Sequence, residues 1–187
     1  KSILSYLLSR DVTVAGYVDK PGADLVIRLL ELTLLDMEQM KEVRKQHPLR
    51  GVTDRWLFSE ILKSGERSGV FAIQSSSRAR YTGSLSLHFF YLNVGDAKHP
   101  SIVRVEIPEW VAKDESKLEL LHAALIQQCQ IMGARPYPYI LHRAHEIAVV
   151  SFEEKAQIEQ MLQAEQLKNH EELDDLSAKQ SAKNLPG

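Results

Sequence analysis

The sequence predicts an α/β or α+β domain: a mixed sheet with helices around it. Three observations carry that expectation. Apolar residues recur at helical spacing both before and after a strand-rich middle. The middle holds a long hairpin pattern between Leu85 and Ile107. The composition, 44% hydrophobic and 26% charged over 187 residues, is that of a globular chain able to bury a sizeable core. Helical runs flanking a block of strands are the pattern of packed helix and sheet layers.

Along the chain, Lys1 to Leu8 reads as part of an element already under way. It lacks the long apolar core and small-residue cleavage site of a signal peptide. Val12 to Val18 is β-branched and reads as a buried strand, and Asp19-Lys20-Pro21-Gly22 is turn chemistry. From Asp24 to about Arg44 an apolar stripe runs through Leu25, Leu29, Leu32, Leu35, Met40 and Val43, which predicts a largely buried helix. His47-Pro48-Leu49-Arg50-Gly51 breaks it. A short amphipathic helix follows over Arg55 to Leu62, capped by Thr53 or Asp54. Val70 to Ile73 is a short strand, and Ser75 to Gly83 a polar loop or edge.

Leu85 to Val94 is the strongest strand, apolar on both faces. Its partner runs from Ile102 to Ile107, with Val103, Val105 and Ile107 on one face and Arg104 and Glu106 on the other. Glu115 to Met132 is a helix with a stripe at Leu118, Leu121, Leu125 and Met132, closed by Gly133. In Arg135-Pro136-Tyr137-Pro138 the two X-Pro steps hold the backbone extended. A helix opens after Pro138, and a charged helix runs from about Phe152 to Leu167. Residues 1–165 are read as the domain and residues 166–187 as a charged, flexible tail.

The composition excludes much. A net charge of −2 gives no global attraction to nucleic acid or anionic membrane, so any nucleic-acid site must be a local patch. No apolar run approaches the length that spans a bilayer. The one cysteine, Cys129, permits no intrachain disulfide and no cysteine metal cluster. It lies in an apolar helical stripe and reads as core, and it fits a reducing, cytoplasmic setting. There is no GxGxxG, GKS/GKT, GxSxG or HExxH.

What remains is histidine and carboxylate. His142 and Glu146 are four apart and His142 and His145 three apart, so each pair shares a helix face. Such a face can hold a metal or a general acid or base. It is equally the pattern of a capped surface helix with solvated polar groups, and spacing alone favours that plainer reading. Arg78, Arg80 and Arg104 are possible phosphate contacts or ordinary solvated groups. Asp54 reads as a helix cap. Glu106 is either a site carboxylate or the ion-pair partner of Arg104. Phe89 and Phe90 read as core rather than as a base-stacking platform.

Several segments, in order, resemble the NurA-type nucleases: Ala15-Gly16-Tyr17-Val18-Asp19-Lys20-Pro21, Thr53-Asp54-Arg55-Trp56-Leu57-Phe58, and the Gly65-Glu66-Arg67-Ser68 turn. His88-Phe89-Phe90-Tyr91 and Arg104-Val105-Glu106-Ile107-Pro108 follow. The C-terminal motif is Tyr137-Pro138-Tyr139-Ile140-Leu141 with Ala144-His145-Glu146. The resemblance runs from about Val12 to Leu162.

It implies an RNase H-like fold, a homodimer, and metal-dependent cutting of DNA with Mn2+ (or Mg2+). It also implies work in DNA end resection with a HerA-type hexameric ATPase. The family's motif tyrosine and histidine stand eight residues apart, as Tyr137 and His145 do here. The resemblance therefore gives His145 the role of metal ligand, and Tyr137 that of holding the scissile phosphate or the attacking water. His142 becomes a surface neighbour. The family's leading Asp-Gly-Ser and a second Asp-Gly segment are absent, and both would precede Lys1. The chain is thus expected to be the C-terminal portion of the domain, with little or no nuclease activity alone. Asp19, Asp54 and Glu106 are not matched to family acids. The alternative is a non-catalytic α/β module that docks a protein partner.

Overall fold

The computed structural model describes residues 2–35, 47–73, 81–133, 135–148 and 152–168. The elements in chain order are α1 (Ser2–Ser9), β1 (Gly16–Val18), α2 (Leu25–Leu34), α3 (Asp54–Ile61), β2 (Phe71–Ala72) and, after a 3-10 turn at Gly83–Leu85, β3 (Leu87–Asn93). They continue with β4 (Ile102–Pro108), α4 (Glu109–Ala112), α5 (Glu115–Ile131), α6 (Tyr139–Ala148) and α7 (Phe152–Lys168). The chain divides into two compact units, Lys1–His142 and Arg143–Gly187. The first holds the sheet. Of the second, the described part is the end of α6 and α7.

The strongest strand signal becomes the middle of the sheet. β3 and β4 pair antiparallel from Leu87 opposite Pro108 to Asn93 opposite Ile102, the hairpin that the alternation predicts. β1 adds to β4 and β2 to β3, giving the order β1-β4-β3-β2. Every pair is antiparallel, so the expected mixed sheet is corrected: these four strands form an antiparallel one. The strand expected over Val12 to Val18 is confined to its last three residues. Arg78, Arg80 and most of the predicted polar loop lie outside the described residues, as does everything after Lys168 in the predicted tail.

Period-two alternation sorts β4 between two cores. Val103, Val105 and Ile107 join Phe90, Leu92, Val111 and Leu118 beneath α4 and α5. On the opposite face Ile102 joins Phe89, Tyr91, Val26 and Phe58 beneath α2 and α3. Each such buried side chain contributes about 1.5–3 kcal/mol of transfer free energy before entropy is counted. Aromatic rings fill the second core: Phe58 stacks on Tyr91 at 4.6 Å and Phe71 on Phe89 at 5.4 Å. Phe89 and Phe90 are buried, as core and not as an exposed platform.

α2 departs from expectation. It ends at Leu34, with Leu35 extended; residues 36–46 of the predicted helix lie outside the described residues. The predicted core stripe is its exposed side: Leu29 is 51% exposed, and Leu25 and Leu32 are exposed as well. The buried side is Val26, Ile27 and Glu31. The physical reason is polar anchoring. Asp24 makes no side-chain cap to α2. Instead the Asp54 carboxylate, fully buried at the start of α3, accepts from Val26 N (2.9 and 3.0 Å) and Ile27 N (2.8 Å). It also accepts from the Tyr91 hydroxyl (2.6 Å). Asp54 thus caps α2; its own helix is capped by Thr53, whose hydroxyl accepts from Trp56 N at 3.3 Å. Buried Glu31 is paired with Arg28 and accepts from Leu49 N at 2.9 Å, which ties the following turn to the helix.

Removing the Asp54 carboxylate leaves two amides and a phenol buried without their acceptor. Asp54→Ala is therefore expected to cost about 2–4 kcal/mol, and Asp54→Asn less, because one acceptor oxygen remains. Denaturant unfolding measures this. A loss under about 0.5 kcal/mol, the range of an ordinary surface substitution, would remove Asp54 from this role.

Candidate functional site

The C-terminal motif is built from α5 onward. Asp114 caps that helix, accepting from Lys117 N at 3.1 Å. The helix ends at Met132 and Gly133, whose φ of +63° is the left-handed conformation that glycine adopts freely. The chain then runs extended through the two prolines. Pro138 is buried, and its carbonyl accepts from Leu141 N and His142 N. It therefore stands just before α6. Proline offers no capping side chain, and Gln128 of α5 substitutes: its Oε1 accepts from Ile140 N at 3.1 Å. The first turn of α6 is thus fastened to α5, a contact that no local sequence signal announces.

Tyr137 is half-buried, and its ring meets that of Tyr17 edge-on, with centroids 5.6 Å apart and planes at 88°. Tyr17 sits on β1 opposite Val105 and packs into the α5-side core. Its hydroxyl is buried and makes no well-formed hydrogen bond among the described residues, although the Cys129 thiol lies close enough to interact weakly with it. Burial raises its pKa first, and the neighbouring Cys129, Asp19 and Tyr137 add to this. Burial likewise raises the Cys129 thiol, so the chain's one cysteine is a core group with little thiolate. A cleft of about 820 Å³ opens beside the motif, lined by Ser64, Gly65, Gly95, Asp96, Cys129 and Pro136 among others.

The remaining candidates separate. His142 is half-buried and closes the first unit; His145 is exposed and belongs to the second. Glu146 is ion-paired with Arg143. Arg104 binds Glu106 through Nε (3.1 Å) and Nη2 (2.7 Å) and lies over the Phe89 ring at 6.0 Å. That is the ion-pair reading of both residues. Among the described residues no three His, Cys, Asp or Glu side chains gather as a metal-binding group. The described residues therefore do not by themselves fit a divalent cation. No helix among them is long and apolar enough to cross a membrane.

Two predictions follow from the tyrosines. Tyr91, like Tyr17, has its pKa raised, first by burial and then by Asp54, with Arg104 opposing. A phenol whose folded pKa exceeds the unfolded value of about 10 adds stability that is complete below that pH and lost as pH climbs past it. In an alkaline titration followed by phenolate absorbance, at least these two of the six tyrosines are expected to stay protonated until the fold is lost. Ionisation of all six with native circular dichroism would contradict this. Separately, Tyr17→Phe keeps the ring contacts and removes a buried hydroxyl whose contact with the Cys129 thiol is weak. It is expected to raise stability by about 1 kcal/mol in denaturant melts, and a clear loss would show that the hydroxyl has a partner.

Comparison with known proteins supplies a further finding. The NurA domain family model matches residues 1–150, which includes β1, the hairpin and the Tyr137-to-His145 motif. No curated protein and no solved structure matches the chain. The match covers most of the 187 residues, and on it the chain belongs to the NurA domain family, a family of nucleases.

Proposed function

We propose that the protein is a metal-dependent DNA nuclease acting in the resection of double-strand-break ends with a HerA-type hexameric ATPase. The observation that carries this reading is the family match over residues 1–150, reinforced by the eight-residue spacing of Tyr137 and His145. An RNase H-like arrangement, a homodimer and a cytoplasmic setting belong to the same proposal.

The reaction is hydrolysis of a phosphodiester. Water attacks phosphorus, one P–O ester bond breaks, the water gives up a proton and the leaving oxygen gains one. Tyr137 is half-buried, and its ring is held against Tyr17. A hydroxyl held in this way suits positioning: it donates to a non-bridging phosphate oxygen or orients the water. Mn2+ (or Mg2+) is the cation this chemistry calls for; bound, it would supply Lewis acidity and lower the pKa of a water. His145 is the proposed imidazole ligand, which suits manganese among oxygen ligands. The carboxylates that complete such a site would come from outside the described residues.

The test measures cleavage of linear duplex DNA with Mn2+, for the 187-residue chain and for the product of the complete reading frame that encodes it. The latter is expected to cut and the former to cut little. Tyr137→Phe is expected to lower the rate by about 100- to 1000-fold. His145→Ala is expected to lower it and to move the Mn2+ midpoint upward. Cleavage indifferent to both changes would overturn the assignment.

A second reading, a non-catalytic module docking a protein, is favoured by one observation: the exposed leucines of α2. Failure of both products to cut, with retained binding to the ATPase, would select it.

A further inference from the structure

α3 carries an exposed tryptophan. Trp56 is 59% exposed and borders a shallow hollow of about 450 Å³, lined by Thr53, Arg55, Ser59, Glu60, Pro100 and Ile102. The chain's other tryptophan, Trp110, is partly buried in the α5-side core, and its indole N–H donates to Val12 O at 3.2 Å. By contrast, among the described residues no hydrogen bond or ion pair occupies the Trp56 indole or the Arg55 guanidinium. An indole face, a free guanidinium and the Thr53 and Ser59 hydroxyls therefore border one concavity.

We propose that this hollow binds one nucleotide of single-stranded DNA, its base stacked on Trp56 and its phosphate paired with Arg55. This rests on the nuclease reading above and extends it to a strand-binding site. Three considerations favour nucleic acid over protein, and a fourth sets the length of strand held. Every nucleobase has a face that stacks on an indole, whatever the sequence. The free cation beside the ring matches a phosphodiester. None of the exposed leucines of α2 lines the hollow, whose wall sets Thr53, Arg55, Ser59 and Glu60 beside Trp56, Pro100 and Ile102. Finally, Arg55 and Ser59 form one row on the helix, and Trp56 and Glu60 the next. The Glu60 carboxylate, one turn beyond the ring, repels a second phosphate there, so the site holds one nucleotide rather than a run. A duplex keeps its bases stacked internally and leaves Trp56 nothing to stack on.

The test uses the full chain carrying Trp110→Phe, so that fluorescence reports Trp56 alone. Titration with a short oligothymidylate is expected to quench it saturably, and a duplex of equal length is not. Trp56→Ala is expected to weaken oligothymidylate binding, measured by anisotropy of a labelled strand, by about 5- to 150-fold. Trp56→Phe is expected to restore much of it. Arg55→Ala is expected to reduce the slope of log affinity against log salt by about 0.7, the loss of one phosphate contact. Both side chains are exposed, and unchanged melting confirms that the variants fold. Unaltered affinity in Trp56→Ala overturns the proposal, as does equal quenching by duplex, or quenching by the ATPase and not by the strand. Cleavage assayed in parallel with the product of the complete reading frame separates the two readings: cutting there without quenching overturns this site alone, whereas neither cutting nor binding by that product overturns both.

Discussion

One buried carboxylate fixes how the helices on one face of the sheet are placed. Asp54 belongs to the first turn of α3, yet its oxygens serve the amino end of α2 and the phenol of Tyr91 on β3. Three elements meet at one group, and each loses a hydrogen-bond partner if it goes. The arrangement is reciprocal, because the Asp54 amide donates back to Ala23 O at 3.0 Å, just before α2. α2 depends on it more than most helices do on a cap. Much of its apolar surface faces outward, so the burial of Val26 and Ile27 alone contributes only a few kcal/mol. Hydrogen bonds to Asp54 at one end and through Glu31 further along decide which side faces the sheet. Directional bonds select one orientation where apolar contact would accept several.

That explains where the sequence could be read and where it misled. The β3–β4 hairpin was legible because alternation of period two has one solution: Val103, Val105 and Ile107 face one core, and a slip by one residue would put Arg104 and Glu106 there instead. α5 was legible for the same kind of reason. α2 was not, because Leu-Val-Ile-Arg-Leu-Leu-Glu-Leu is apolar on more than one side. Periodicity finds a stripe there without saying which stripe faces inward. The deciding contacts come from Asp54 and Leu49, far along the chain. Asp54 itself was assigned the correct role on the wrong helix: Thr53 and Asp54 are both good capping residues, and only the tertiary structure sends them to different helices.

At the candidate site, the residues Tyr137 and His145 could be singled out only through the family pattern, since spacing alone favoured a solvated helix. The edge-on contact of Tyr137 with Tyr17 joins residues 120 positions apart in the sequence, and no local rule reaches that far. The Gln128 cap was hidden for a related reason. Glutamine in mid-helix is ordinary, and its function depends on where a later chain segment happens to start its own helix.

The structural anchor and the motif tyrosines stand on opposite faces of one sheet, and β4 relates them. Tyr17 pairs with Val105 across the β1–β4 ladder, and Tyr91 pairs with Arg104 across the β3–β4 ladder. Val105 and Arg104 are consecutive, so their partners project to opposite sides. Tyr17 therefore meets Tyr137 on the α5 side, and Tyr91 meets Asp54 on the α2 side. β1 has only three paired residues, too few for backbone bonding alone to hold its register strongly. Packing of the Tyr17 ring between the α5-side core and Tyr137 supplies the rest.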